Sequence, residues 1–280
     1  MQENTLKNFV DDMEDLIPAK NDSGYERILA IGDIHGKYKK FISLWNKLSV
    51  TENDLVIFLG DYIDRGEGVA EILEWVMTQP KNKNLKFLKG NHEKFMLDAL
   101  TDNGREFLEK ICTGKIKTLT YQNIAGNEDA ICWIQNGGGK TFLAMKDLES
   151  KSKFTIDEIL KFAEKLPLYH LMKIDGRNYF FCHAGVKPGV PLDKQSEENL
   201  LWIREEFFNY YEGEDIIISG HSPLQMFFDF EGESPHPVRV PDRNILMIDT
   251  GSFVKGGYIS CVDILSGEYW QSDKEEINYF

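Results

Sequence analysis

The feature that most constrains this chain is a series of short apolar runs, each ending in a glycine and a polar cluster. RILAI leads into Gly32-Asp33-Ile34-His35-Gly36, and DLVIFL leads into Gly60-Asp61-Tyr62-Ile63-Asp64-Arg65-Gly66. LKFLK leads into Gly90-Asn91-His92-Glu93. Runs this short and this apolar have the character of strands buried on both faces. Amphipathic stretches separate them. In KYKKFISLWNKL, Phe41, Leu44, Trp45 and Leu48 fall on one helical face, and GVAEILEWVMTQ and NHEKFMLDALT also read as helices. Such alternation predicts an α/β layer with parallel pairing.

The rhythm then changes. From about residue 101 to 170 the pattern is polar and mostly helical, punctuated by GNEDA and NGGGK, which predicts a helical insert. After Arg177 the runs are strand-like again: NYFFCHAGV, DIIISGH, NILMIDTG and YISCVDILSGEYW. The last two are joined by the turn-rich SFVKGG, which suggests an antiparallel second sheet. Domains run to about 150 residues, so 280 residues allow one or two. With no internal repeat and no Pro/Gly/Ser linker, a single domain over 1–280 is expected, with residues 1–25 as an N-terminal extension.

Charge removes several classes of function. With 46 acidic and 32 basic residues the formal net charge is −14, which disfavours non-specific binding to nucleic acid or to a membrane surface. No run of about 18 apolar residues is present to span a bilayer. The start, MQENTLKNFVDDMEDLIPAK, lacks the basic and apolar regions of a secretory signal. The four cysteines are isolated, and Cys182 and Cys261 lie in apolar runs where a small buried side chain fits. A reducing cytoplasm is the expected location.

Ligands of open α/β sheets bind beyond the carboxyl ends of the strands. Three successive strands would therefore bring Asp, His, Asp, Asn and His to one crevice. Two later runs repeat the pattern, ending in His183 and His221, so that His35, His92, His183 and His221 all occupy strand ends. His170 and His236 lack this setting and read as ordinary surface or structural residues. A single Gly-Asp after a strand is usually a turn or a helix cap, but five agreeing strand ends are not explained that way. Asp33, Asp61 and Asp64 converging in one crevice require cations, and mixed imidazole and carboxylate ligands suit Mn, Fe or Zn.

These motifs resemble the calcineurin-like metallophosphoesterase superfamily, specifically the phosphoprotein phosphatases with their GDxHG, GDxVDRG and GNHE motifs. The resemblance covers roughly residues 27 to 265. It implies a four-layer αββα sandwich of two mixed sheets flanked by helices, and a centre of two divalent ions, Mn foremost. Asp33 and His35 would ligate the first ion, Asp61 would bridge, and Asn91, His183 and His221 would ligate the second. A bridging hydroxide would attack phosphorus in line. His92 would protonate the leaving oxygen, with Asp64 orienting and charging it. Arg65 resembles the family's phosphate clamp, and Arg204, in NLLWIREEF, resembles the single arginine that bacterial members carry after a Leu-Trp pair. Glu93 is assigned only to capping its helix, and Tyr62 and Trp202 to packing.

His183-Ala184-Gly185, Ile248-Asp249-Thr250-Gly251 and Lys37 depart from the animal and plant pattern and resemble the bacterial and phage branch, so no regulatory subunit is inferred. WIQNGGGKTF resembles that branch's pocket-wall insert, although its glycines fit a plain loop equally well. The expected activity is hydrolysis of phosphoserine or phosphothreonine in proteins, with phosphotyrosine a further candidate. The enzymatic rival is a bis(5'-nucleosyl)-tetraphosphatase, whose pattern typically lacks Asp64 and has GNHD where this chain has GNHE. Action on nucleic-acid ends is disfavoured by the charge. A non-catalytic scaffold is disfavoured because every ligand position is filled.

Overall fold

The computed structural model describes residues 13–79, 82–230 and 232–274. The first twelve residues of the expected N-terminal extension, and with them most of the stretch read for a signal, lie outside the described residues. Two five-stranded mixed sheets form the centre. The first has the order β10-β9-β1-β2-β3, built from β1 (Arg27–Ile31), β2 (Asp54–Phe58), β3 (Leu85–Phe87), β9 (Ser260–Asp263) and β10 (Tyr269–Gln271). The second has the order β4-β5-β6-β8-β7, from β4 (Tyr169–Ile174), β5 (Arg177–Cys182), β6 (Ile216–Ser219), β7 (Val238–Arg239) and β8 (Ile245–Met247).

Side-chain alternation separates the layers. Ile28, Ala30, Leu55 and Ile57 face the second sheet, meeting Tyr179, Phe181, Ile216, Ile218 and Leu246 in a buried, largely apolar interface. Leu29, Ile31, Val56 and Phe58 face outward onto helices. Among these are α1 (Tyr38–Leu48), α2 (Val69–Met77) and α3 (Asn91–Ala99). On the far side of the second sheet, Phe180, Cys182, Ile217 and Ile245 pack on Leu200, Phe207 and Phe208 from two short helices. The arrangement is the αββα sandwich. In α1, Phe41, Leu44 and Leu48 recur at helical spacing and are buried, as the sequence predicts. Cys182 and Cys261 are buried too.

Between β3 and β4 lie α4 (Asp102–Cys112), a single turn at Tyr121–Ile124, α5 (Glu128–Gln135), α6 (Gly138–Ser150) and α7 (Ile156–Lys165). They extend the helical layer over the first sheet, burying Phe107, Trp133, Phe142 and Ile159. No described helix is long and apolar enough to cross a membrane.

The predicted antiparallel second sheet is not what forms. Its centre, β5-β6-β8, is parallel, and only the edge strands β4 and β7 run antiparallel. NILMIDTG and YISCVDILSGEYW are not hairpin partners: β8 belongs to the second sheet and β9 pairs with β1 in the first. The Gly-rich connection therefore crosses between sheets, which a turn-like composition cannot distinguish from a hairpin. The hairpin of this region, β9–β10, lies within YISCVDILSGEYW. Strand β4 falls outside the predicted runs because it is a half-exposed edge. The Asp175-Gly176 turn behind it, with φ of 50° and 79°, is the local signal that identifies it.

Candidate active site

Five parallel strands from both sheets point their carboxyl ends to one place. β1 delivers Asp33 and His35, β2 Asp61 to Arg65, β3 Asn91 and His92, β5 His183, and β6 His221. Asp33, His35, Asp61, Asp64, Asn91, His92, His183 and His221 are all buried. The turns are tight enough that the backbone leaves ordinary conformations. His35, Asp61, Asp64, Arg65 and His221 have φ between 49° and 69°, five of the nine non-glycine residues with positive φ among those described. Strained backbone of this kind persists where the surroundings over-determine it, and it clusters at functional sites. Glycine is required where the turns touch: a Cβ on Gly90 would lie 2.1 Å from Asp61 Oδ1.

Asp61 is central. Its Oδ1 lies 3.4 Å from His183 Nε2, and its Oδ2 lies 3.5 Å from His35 Nε2 and 3.9 Å from His92 Nε2. Burial alone would raise its pKa, but the His183, His92 and His35 rings hold it below the usual carboxylate range. Two groups able to hold a metal ion share it, Asp61–His183–His221 and His35–Asp61–His92. The first also contains Asn91, whose Oδ1 is 2.8 Å from His183 Nε2 and 2.9 Å from His221 Nδ1. His183 Nδ1 faces the Leu59 carbonyl at 2.8 Å, which makes it the donor and leaves Nε2 with a lone pair. An amide oxygen, a carboxylate oxygen and an imidazole lone pair thus converge, which is the donor set of a divalent cation. His221 Nε2 is buried without a partner among the described residues.

On the other side, His35 Nδ1 faces the Ile63 carbonyl at 3.2 Å, which again leaves a lone pair on Nε2. Arg65 Nη1 donates to that nitrogen at 3.1 Å, and its guanidinium lies 3.8 Å above the Phe253 ring. Asp33 stands behind this group, with Oδ2 3.9 Å from His35 Nε2, and accepts the His221 amide at 3.0 Å. Burial, then Asp249 and Asp61, raise its pKa well above the usual range. These carboxylates crowd a small volume without enough fixed positive charge, so the site fits cations.

His92 Nδ1 lies 2.6 Å from Asp64 Oδ2. Burial would lower the pKa of His92, but Asp61 and Asp64 raise it. Arg204 Nη1 donates to the His221 carbonyl at 3.1 Å and the Ser222 hydroxyl at 3.0 Å, so the predicted second arginine does reach the site.

Several contacts at the site were not read from the sequence. Glu93 caps its helix through Gly90 as expected, but its carboxylate also accepts the amides of Asp61 and Tyr62, each at 2.9 Å. Lys40 Nζ donates to the carbonyls of Ser252 and Gly257, tying down the loop that carries Phe253. Asp249 ends β8 in the same Asp-Thr-Gly style as the other strand ends, and that signal was available. It is buried, Oδ2 has no hydrogen-bond partner among the described residues, and burial pushes its pKa to about 6. Trp133 and Thr141 reach Asp64 from the helices that follow β3. Tyr62 is a packing residue as predicted, its hydroxyl donating to the Leu88 carbonyl at 2.7 Å. Trp202 packs edge-on against Phe95 yet keeps about a third of its surface exposed.

Residues 26–246 match the family model of the calcineurin-like phosphoesterases. The chain belongs to that family. This phosphoesterase is 30% identical over 240 residues to serine/threonine-protein phosphatase 2 of Escherichia coli, covering 81% of this chain and 88% of the relative. It is 23% identical over 221 residues to the asymmetrical bis(5'-nucleosyl)-tetraphosphatase PrpE of Anoxybacillus flavithermus, covering 70% and 78%. Among solved structures, a serine/threonine phosphatase from Saccharomyces cerevisiae superposes with a TM-score of 0.52 at 15% identity, over 98% of this chain and 90% of that one. A candidate diadenosine tetraphosphatase superposes at 0.59 and 16%, over 93% and 98%. The two solved structures share the fold. The phosphoesterase is a hydrolase of phosphoester bonds whose buried His and Asp groups are suited to metal.

Proposed function

We propose that the protein is a metal-dependent phosphomonoesterase acting on phosphoserine and phosphothreonine in proteins, and on phosphotyrosine as a further class. The observation that carries this is Asp61 shared between two buried groups able to hold a metal ion, with His92, a member of one of them, paired to Asp64. Asp33, His35, Asp61, Asn91, His183 and His221 would hold two divalent ions, Mn foremost. Such ions supply an activated water and neutralise charge on the phosphoryl oxygens. The chain supplies the rest. Arg65 and Arg204 bind the phosphate through paired guanidinium hydrogen bonds. Asp64 accepts the Nδ1–H of His92, which fixes the ring and presents Nε2, carrying a proton, to the leaving oxygen. Hydrolysis by a dinucleoside tetraphosphatase is the second reading, favoured by the similarity to PrpE. Asp64 and Glu93 favour the first.

The deciding experiment compares p-nitrophenyl phosphate, phosphoserine and phosphotyrosine peptides, and diadenosine tetraphosphate, each with Mn after chelation. The phosphoserine peptide is expected to exceed diadenosine tetraphosphate in kcat/KM by about tenfold or more, and the chelated protein to be inactive. The opposite order would establish the second reading. Arg65→Ala is expected to cost about 2–3 kcal/mol in kcat/KM, the worth of a charge-assisted hydrogen-bond pair. Arg204→Ala, being tied partly to the His221 turn, is expected to cost less. Unchanged kinetics in Arg204→Ala would remove it from the phosphate site.

A further inference from the structure

The Asp64 carboxylate has more partners than pairing with His92 requires. Oδ1 accepts the Thr141 hydroxyl at 2.5 Å, Oδ2 faces His92 Nδ1 at 2.6 Å, and Trp133 Nε1 donates to the two oxygens at 3.1 and 2.9 Å. Thr141 also accepts the backbone N–H of Asp64 at 2.9 Å, so its own proton is committed to the carboxylate. An indole N–H can only donate. Asp64, Trp133 and Thr141 are each fully buried. Donors from three side chains leave the carboxylate a single way to sit.

The segment that supplies two of those donors is built around this contact. Trp133 closes α5 and Thr141 opens α6. The turn between them passes so close to Arg65 that a Cβ on Gly137 would lie 2.7 Å from the Arg65 nitrogen. Gly138 lies under the Trp133 ring, where a Cβ would come within 2.3 Å. Lys140 Nζ donates to the Arg65 carbonyl at 2.9 Å. The contacts fall on Asp64 and Arg65, whose left-handed backbones (φ 69° and 66°) need outside support. A helix pair recruited only for packing would have no use for a buried carboxylate, which costs stability wherever it is not fully satisfied.

We propose that Trp133 and Thr141 are positioning residues: they hold the Asp64 carboxylate in one orientation, and through it keep His92 aimed at the leaving oxygen. This rests on the reading of His92 as proton donor. It predicts that loss of either donor slows the chemical step selectively for substrates whose leaving oxygen needs a proton.

The test compares Thr141→Val, Thr141→Ser, Trp133→Phe and His92→Asn on a phosphoserine peptide and on p-nitrophenyl phosphate at fixed Mn, with metal content and Tm measured. Thr141→Val and Trp133→Phe are expected to lower kcat on the peptide about tenfold, the worth of one hydrogen bond to a charged group, with KM and metal content unchanged. On p-nitrophenyl phosphate the loss should stay within about threefold, since that leaving group departs unprotonated. Thr141→Ser should restore the peptide rate. In Zn-loaded, ¹⁵N-histidine-labelled protein, the His92 Nδ1–H resonance should shift upfield in Thr141→Val and not in Thr141→Ser. Wild-type behaviour of Thr141→Val, or equal losses on both substrates, overturns the positioning role; if His92→Asn still discriminates between them, the proton-donor reading survives. If His92→Asn does not discriminate, both fall. Should Trp133→Phe fail to fold, the Thr141 pair decides alone.

Discussion

Asp61→Asn is expected to lose metal and activity together. Both carboxylate oxygens face ligand groups, Oδ1 toward His183 and Oδ2 toward His35 and His92. An amide keeps one oxygen and turns an NH2 toward the lone pairs of the other group, removing a negative charge as well. Two-metal sites contribute several kcal/mol of charge stabilisation, so kcat/KM should fall about a thousandfold or more. The backbone at this position is held independently by Glu93, so the fold should survive, which circular dichroism would verify. The measurement is bound metal after gel filtration alongside kcat/KM. Two ions retained at near wild-type activity would refute the bridging role.

The second large effect is expected for His92→Asn. No proposed metal ligand is altered, so bound metal should stay at the wild-type level. General acid catalysis contributes about 10²–10⁴-fold, and that whole factor should be lost from kcat on phosphoserine peptides. p-Nitrophenolate is stable without a proton, so p-nitrophenyl phosphate should be hydrolysed with a much smaller deficit. Asp64→Asn should show the same bias more weakly, because the imidazole keeps its place but loses the carboxylate that favours its charged form. Equal losses on both substrates with metal retained would mean that His92 serves binding instead, and the assignment would be withdrawn.

Much of the site was legible because its signals are local. A strand that ends in Gly-Asp or Gly-Asn-His states in a few residues both where the strand stops and what it presents, and the parallel pairing of β1, β2 and β3 follows from the helices between them. What escaped depends on contacts far apart in the chain. Trp133 and Thr141 lie 69 and 77 positions from Asp64, and nothing in WIQNGGGKT distinguishes a buried donor to a carboxylate from a capped helical turn. The pairing of β9 failed for the same reason: its partner β1 is more than two hundred residues earlier, while a Gly-rich turn lay close by. Phe253 and Lys40 matter only through the loop they hold against Arg65, a relation with no periodicity to read.

The hydrogen bond from the His221 amide to Asp33 joins residues 188 positions apart, and the bond from His183 to the Leu59 carbonyl spans 124. Each ties one sheet to the other. Contacts of such separation form only after long stretches of chain have been closed at an entropic cost, so they come late in folding. During synthesis Asp33, Asp61, Asn91 and His92 emerge first and must stay hydrated until the second sheet arrives with His183 and His221. A state with one sheet formed would hold only part of the proposed ligand set. A molecule that lacks β5 and β6 is expected to be without the proposed activity, because it lacks His183 and His221.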